Sequence, residues 1–160
     1  FGHLYRPEDL EAYLSEGYDP SLYDKWLTHD QFRLFLADET DTNRIVGYVL
    51  CGLCTLPLEN CGFDSTYSEG CRELKRLYLH PDHFGSNLSS ALLKVSLDWL
   101  VAEGFANKVY LGVYSENPRA IRFYQKHGFE QIGEYGFVVG DQIDREFICH
   151  WKGVPSPVNN

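Results

Sequence analysis

Short apolar segments, separated by polar or glycine-containing turns, run through most of the chain and indicate strands. The first two flank the polar run DETDTN at 38–43, so they are predicted to pair as an antiparallel hairpin. The last two flank Gly140-Asp141 and are predicted to pair in the same way. The predicted strands are 31–37, 44–51, 71–79, 108–114, 130–140 and 143–151.

Other segments carry apolar residues at helical spacing. From Leu88 onward, apolar residues recur at i, i+4, i+7 and i+11, and a glycine at 104 can end the helix in the left-handed conformation. An Asn-Pro pair at 117–118 suits a helix cap and first turn, and a glycine at 128 closes that helix. The predicted helices are 7–16, 20–28, 88–103 and 118–127.

In this order of elements, a strand–helix–strand unit lies between two hairpins. The order predicts a mixed sheet with helices on its faces, which is an α/β or α+β fold. A length of 160 residues is typical of one domain, and no repeat or linker divides the chain, so one domain over 1–160 is expected. The aperiodic stretch 55–70 is read as a loop long enough to be functional.

Composition narrows the classes of function. The chain is 44% hydrophobic and 15% aromatic, enough for a packed core. Its formal net charge of -9 opposes nucleic-acid binding and favours a cationic partner, although acidity also serves solubility alone. We find no apolar run of membrane-spanning length and no secretory signal at the start, so the expected location is the cytoplasm, away from the membrane.

The five cysteines raise an alternative function. Cys51-Gly-Leu-Cys54 has the spacing of a metal or redox motif, but it is a single pair at a strand end. Buried, free thiols are therefore the favoured interpretation. His80-Pro-Asp-His83 is likewise interpreted as a turn, and no metal is expected.

Two segments together resemble the GCN5-related N-acetyltransferase superfamily: ELKRLYLHPDHFGSNLSSALL at 73–93 and YLGVYSENPRAIRFYQKHGFEQIGEYGFVVG at 110–140. The second is close to the form seen in bacterial polyamine (spermidine/spermine) acetyltransferases. The resemblance covers residues 31–151. It implies an acetyl-CoA-dependent N-acetyltransferase that moves an acetyl group directly to a primary amine, such as a polyamine or another small cationic amine.

The resemblance also implies a site for coenzyme A. In this superfamily, backbone amides of the turn before the helix at 88 hold the pyrophosphate. The usual pattern Arg/Gln-x-x-Gly-x-Gly/Ala is altered here at Phe84, Asn87 and Ser89, while Gly85 is as expected. The positions that the resemblance assigns to the cofactor are Leu77, Tyr78, Leu79, Phe84, Gly85, Ser86, Asn87, Leu88, Ser89, Asn117, Arg119, Ala120 and Tyr124.

Catalytic roles follow from the same resemblance. The strand 71–79 is expected to splay from strand 108–114, so that a backbone N–H near Leu79 polarises the thioester carbonyl. Tyr124 is the expected proton donor to the departing thiolate, because a phenol can donate a proton from its neutral form. Glu73 is the candidate base, through a water, or else an ordinary exposed strand residue, with Glu69 and Tyr78 as weaker alternatives.

Two departures leave alternatives open. The altered turn allows a non-catalytic acyl-CoA-binding or interaction module with the same fold, because fold does not guarantee activity. Superfamily members usually begin with a strand for which there is no room before residue 7, so the N-terminal strand is expected to be absent. Either the chain is shortened, or the sheet lacks an edge, or another chain supplies the strand, and a homodimer is among the expected assemblies. Acidic residues of the first two helices could line the acceptor site or be merely solvated: Glu8, Asp9, Glu11, Glu16, Asp19 and Asp24.

Overall fold

The computed structural model describes residues 20–153. The predicted helix at 7–16 and the expected absence of a first strand concern residues outside this range. The helices are α1 (Pro20–Thr28), α2 (Leu88–Ala102) and α3 (Pro118–Lys126). The strands are β1 (Arg33–Glu39), β2 (Arg44–Leu53), β3 (Arg72–Leu79), β4 (Val109–Tyr114), β5 (Phe129–Val139) and β6 (Gln142–Trp151).

The strands form a six-stranded sheet in the order β1-β2-β3-β4-β6-β5. All neighbours are antiparallel except β3 and β4, which are parallel and are connected through α2. The predicted hairpins β1–β2 and β5–β6 are both present. The predicted mixed, mostly antiparallel sheet is therefore confirmed.

The parallel pair β3–β4 is short. Its ladder consists of Arg72 opposite Val109 and Glu73 opposite Tyr110, and the sheet opens beyond them. Just past this point, the register of β2 against β3 shifts, so that Lys75 becomes an extra residue on β3. Such a bulge bends a strand and increases its twist, which carries β3 away from β4.

The two faces of the sheet are covered differently. On one face, α2 and α3 pack over the larger core, to which Leu93 and Leu100 contribute fully buried side chains. Each such leucine contributes on the order of 1.5–3 kcal/mol by leaving water. On the other face, residues 54–71 cover a smaller core around Leu58 and Tyr110, and α1 lies on this side.

Several predicted boundaries shift. The first strand extends to Glu39, because Asp38 and Glu39 continue the pairing after a bulge and the turn begins later. The stretch predicted as a loop at 55–70 contains 3-10 turns at Leu58–Cys61 and Tyr67–Gly70, since their local hydrogen bonds close short turns that carry no apolar period. The left-handed glycines after α2 and α3 are confirmed, with φ of 92° and 93°.

Candidate active site at the opening between two strands

The turn between β3 and α2 is held by its own side chains. Ser86 Oγ donates to the carbonyl of His83 at 2.6 Å and accepts from the N–H of Leu88 at 3.3 Å. Gly85 supplies the left-handed residue, at φ 80°, and a side chain built there would meet nothing within 4 Å. Asn87 has φ of -77°, so the left-handed geometry that its residue type allows is not used. The turn therefore leaves open space over Gly85 at the start of α2.

The start of α3 lies beside this turn. The guanidinium of Arg119 sits 4.7 Å from the ring centroid of Phe84, a cation–π contact between two segments far apart in sequence. The turn lacks the arginine that the resemblance leads one to expect at position 84, but Arg119 brings a positive charge to the same place. Sequence reasoning listed both residues and missed their contact.

Asn117 caps α3. Its Oδ1 accepts the backbone N–H of Ala120 at 3.1 Å, with Pro118 in the first turn, as the cap interpretation predicts. Its Oδ1 and the Ala120 N–H thus have partners within the helix. Contacts of these two residues with a cofactor stay predictions.

Tyr124 is half-buried in the larger core. Its ring packs edge-on against Phe123 and Phe129, with centroids 5.3 and 5.7 Å apart. Burial, together with the nearby Cys149, raises the pKa of Tyr124 well above its usual range. The phenol therefore holds its proton at neutral pH, as a proton donor must.

The predicted backbone positions for the cofactor lie on β3 beyond the opening. Tyr78 and Leu79 pair with Tyr48 and Gly47 of β2, which occupies the side of β3 away from β4. Leu77 packs against the larger core. Tyr78 is exposed and stacks on Tyr48 at 5.6 Å, so it is not placed as a base inside a pocket.

On the opposite face, a pocket of about 410 Å³ lies at the same opening. Glu73 reaches it, but one oxygen of this carboxylate is already well occupied: Oε2 accepts the Thr55 N–H at 2.9 Å and its hydroxyl at 3.2 Å, and pairs with Lys75 Nζ at 2.9 Å. Glu69 is exposed in the 3-10 turn, away from the pocket lining. The lining residues are Trp26, Glu73, Lys75, Arg76, Gly112, Tyr135, Phe137 and Glu146.

A second carboxylate, Glu146 of β6, faces the pocket, and sequence reasoning missed it. Tyr135 donates a hydrogen bond to Glu146 Oε2 at 3.3 Å. Burial raises the pKa of Glu146, the Tyr135 hydrogen bond lowers it, and the charges of Asp144 and Glu73 raise it further. A Cβ at Gly112 would lie 3.1 Å from both the Glu146 oxygen and the Tyr135 hydroxyl, so the missing side chain makes room for this pair.

The available sequence signal for Glu146 was weak. It shares a strand face with Ile148, two residues on, which is buried. A glutamate on the inward face of a strand, together with a glycine inside the apolar strand VYLGVY, indicates a polar pocket. The hairpin around Gly140-Asp141 sets Tyr135 opposite Glu146, but nothing local brings this pair to Gly112 of β4.

Four of the five cysteines are free and buried as predicted, whereas Cys61 is free and only half-buried; His80 and His83 lie in a turn, as predicted. Cys51 and Cys54 are free and buried, and burial raises the pKa of both thiols to about 12, which disfavours the thiolate needed for redox chemistry or metal binding. His83 Nε2 contacts Glu39 Oε1 at 2.9 Å, and His80 Nε2 contacts Arg44 at 2.7 Å, so both rings hold the turn in place.

Within residues 20–153, no group of three or more His, Cys, Asp or Glu side chains is arranged to hold a metal. No helix in the same range is long and apolar enough to cross a membrane.

The sequence matches the acetyltransferase (GNAT) family over residues 1–129. An uncharacterized N-acetyltransferase of Mycobacterium tuberculosis is 30% identical over 142 residues, 89% of this chain and 81% of that protein. A spermidine N(1)-acetyltransferase of Vibrio cholerae is 27% identical over 136 residues, 82% of this chain and 71% of that protein. The chain therefore belongs to the GNAT acetyltransferase family, and it is an N-acetyltransferase.

Solved structures agree on the fold. An N-acetyltransferase of Thermoplasma acidophilum, solved in complex with coenzyme A, matches with a TM-score of 0.66 at 20% identity, over 93% of this chain and 80% of that one. The spermidine/spermine N-acetyltransferase SpeG of Vibrio cholerae matches with a TM-score of 0.58 at 19% identity, over 81% of this chain and 72% of that one. At these identities the likeness concerns the fold alone.

Proposed function

We propose that the protein transfers an acetyl group directly from acetyl-CoA to the primary amine of a small molecule. The observation that carries the proposal is the opening between β3 and β4. On one face of the sheet, Tyr124 and the α2 turn lie on the side of the larger core. On the other face, a pocket with two carboxylates reaches the same opening. Two substrates can thus approach one reaction centre from opposite faces.

The α2 turn fits the phosphates of coenzyme A. The start of α2 offers backbone N–H groups and the positive end of the helix dipole. Gly85 leaves the space above the backbone open, and Arg119 adds a positive charge held on Phe84. Acetyl-CoA bound at this turn would supply the acetyl group as an activated thioester.

The roles of the remaining residues follow from this placement. Backbone groups of Leu77, Tyr78 and Leu79 on the β4 side would hold the pantetheine arm, and an N–H near Leu79 would stabilise charge on the carbonyl oxygen. Tyr124 would give its proton to the leaving sulfur, because it carries that proton at neutral pH and lies on the same side of the sheet as the α2 turn. A pocket carboxylate would take the proton of the amine. Glu73 is the sequence-based choice, although its contacts with Thr55 and Lys75 favour a positioning role.

A small cationic amine is the proposed class of acceptor. The net charge of -9 attracts cations, and the relatives of this chain include a spermidine N(1)-acetyltransferase. Lys75 and Arg76 also line the pocket, so the acceptor end must place its ammonium near the carboxylates and away from these cations. Polyamines and simpler monoamines are therefore the first compounds to test.

The rival function is a non-catalytic module that only binds acyl-CoA, which the altered residues Phe84, Asn87 and Ser89 favour. A thermal shift with acetyl-CoA and an assay of free-thiol release, run over polyamines, amino acids, aminoglycosides and peptides, separate the two. Stabilisation with amine-dependent thiol release supports transfer. Stabilisation without release for any acceptor supports the binding module. If acetyl-CoA neither stabilises the protein nor releases thiol with any amine, both candidate functions are contradicted.

A further inference from the structure

We propose that Glu146, rather than Glu73, is the carboxylate that takes the proton from the acceptor amine. The inference rests on the proposed function, because it assigns the base of that reaction. It also identifies Tyr135 and Gly112 as the residues that position this carboxylate.

The two pocket carboxylates differ in their contacts. Glu73 Oε2 receives three donors, two from Thr55 and one from Lys75, and the Glu73 and Lys75 side chains are only 12% and 13% exposed. The Thr55 backbone and the Lys75 ammonium, at 2.9 Å each, thus hold this oxygen in the wall of the pocket, where it is occupied before any amine arrives. Glu73 therefore anchors the loop at Thr55 to β3.

Glu146 has the opposite environment. Among the described residues, its hydrogen-bond donor is the Tyr135 hydroxyl, and it has no cationic partner within salt-bridge distance. Its neighbour Arg145 pairs instead with Glu134. A partly buried carboxylate without a cation is poorly stabilised, so either an approaching ammonium group or a bound proton relieves it.

The position of Glu146 in the sheet also favours it as the base. Glu146 and Tyr135 lie on β6 and β5, and their polar atoms converge over Gly112 of β4. Gly112 is two residues past Tyr110, where the β3–β4 ladder ends, so the pair lies at the opening where the two substrates would meet. Burial and the neighbouring acidic charges raise the pKa of Glu146. A base works best when its pKa approaches the working pH, so this shift suits the role.

The proton balance is simple. The amine arrives as an ammonium, and Glu146 takes one proton from it, directly or through one water, to leave a neutral nucleophile. The nitrogen then forms a bond to the acetyl carbon, the carbon–sulfur bond breaks, and Tyr124 protonates the sulfur. The extra proton on the new amide nitrogen restores Tyr124, and Glu146 releases its proton to solvent. One proton is released per acetyl group transferred.

The titration of Glu146 depends on the groups around it. Tyr135 donates from β5, and on β3 Glu73 faces the pocket with its charge balanced by Lys75. Gly112 of β4 and Trp26 of α1 bring no charge. The titratable and charged groups that face or adjoin Glu146 are Glu73, Lys75, Arg76, Tyr135 and Asp144.

The test is the pH profile of kcat/KM for the best amine acceptor in the intact chain, read by thiol release. We expect Glu146→Gln to lower kcat/KM at neutral pH by about 10²–10⁴-fold and to remove the acidic limb of the profile. Its affinity for acetyl-CoA in calorimetry should match that of the parent. Glu134→Gln, an exposed glutamate paired with Arg145, is the matched control and should leave the profile unchanged.

Tyr135→Phe provides an independent readout. It removes the hydrogen bond that lowers the pKa of Glu146, so the acidic limb should move to higher pH. Glu73→Gln should lower the melting temperature, because it removes the ion pair with Lys75, and should leave the acidic limb of the kcat/KM profile in place. A parent-like profile in Glu146→Gln, or loss of the limb in Glu73→Gln alone, would overturn the assignment. If Glu146→Gln does not fold, an unmoved limb in Tyr135→Phe overturns it. A parent that acetylates no amine refutes the proposed function itself, and this assignment with it.

Discussion

The two proposed substrate sides of the sheet, a cofactor side and an acceptor side, are built in different ways. The cofactor side consists of two continuous segments, the turn 80–87 with the start of α2 and the start of α3, joined by Arg119 on Phe84. The acceptor side collects single side chains from α1 and from β3, β4, β5 and β6. Local backbone geometry, of the kind that sequence motifs record, dominates the first. Strand register and the packing of α1 on the sheet assemble the second.

The largest expected effect is the loss of turnover when Tyr124, the proposed proton donor on the cofactor side, loses its hydroxyl. Tyr124→Phe keeps the ring that packs on Phe123 and Phe129 and removes only the proton donor. We expect kcat to fall by about 10²–10⁴-fold, with little change in melting temperature or acetyl-CoA affinity. Steady-state kinetics measure the change in kcat, and calorimetry measures the affinity for acetyl-CoA. Parent-like turnover would show that Tyr124 is a packing residue, and unfolding would show that its hydroxyl serves the core.

The next effect tests whether the cofactor side depends on one long-range contact. Arg119→Ala removes the charge held on Phe84. A charge-assisted hydrogen bond to phosphate contributes about 1.5–3 kcal/mol, so the Kd for acetyl-CoA should rise by about 10–150-fold. Arg122→Ala, an exposed arginine on the same helix, is the control and should bind normally. Equal losses in both variants would mean general electrostatic attraction instead of a specific contact.

A smaller effect tests the acceptor side by crowding. Gly112→Ala places a Cβ 3.1 Å from the Glu146 oxygen and the Tyr135 hydroxyl, so both must shift by a few tenths of an ångström. Because misplacements of 1 Å can cost about 10²-fold, we expect kcat/KM for the amine to fall by about tenfold. The Kd for acetyl-CoA should stay unchanged. Gly70→Ala, whose Cβ would meet its nearest neighbour at 3.7 Å, is the control, and an equal loss there would contradict the interpretation.

The smallest effect is on stability. The pKa of Glu146 in the folded chain lies above its ordinary value of 4.5, so the folded state holds this proton more tightly than the unfolded state. Its ionisation therefore costs stability as pH rises above about 4.5 through the folded pKa, and costs nothing below that window. Glu146→Gln should gain melting temperature relative to the parent at pH 7, with the gain shrinking toward pH 4. A constant difference across pH would contradict the raised pKa.

Most of the cofactor side could be predicted because its signals are local. Asn117 followed by Pro118 specifies a capped helix start, and the glycines at 104 and 128 specify helix ends, as the hydrogen bond to Ala120 and the positive φ values bear out. A turn of fixed length between an apolar strand and an apolar helix places Gly85 at the start of α2. The departure at Phe84 was visible in sequence, but its contact with Arg119, 35 positions later, was not.

By itself, then, the sequence determined the order of elements, the mixed sheet, the family and the cofactor-side motifs, because periodicity, caps and turn residues act over a few positions. The tertiary structure decided which pocket carboxylate is already paired with an ammonium group. Glu73 and Glu146 look alike in sequence, as glutamates on strands. The segment after β2 brings Thr55 to Glu73, which also pairs with Lys75, whereas the pairing of β4 with β6 places Glu146 over Gly112 in the pocket. Pairing of distant strands sets this difference, and a one-residue change of register would reverse the side chain's face.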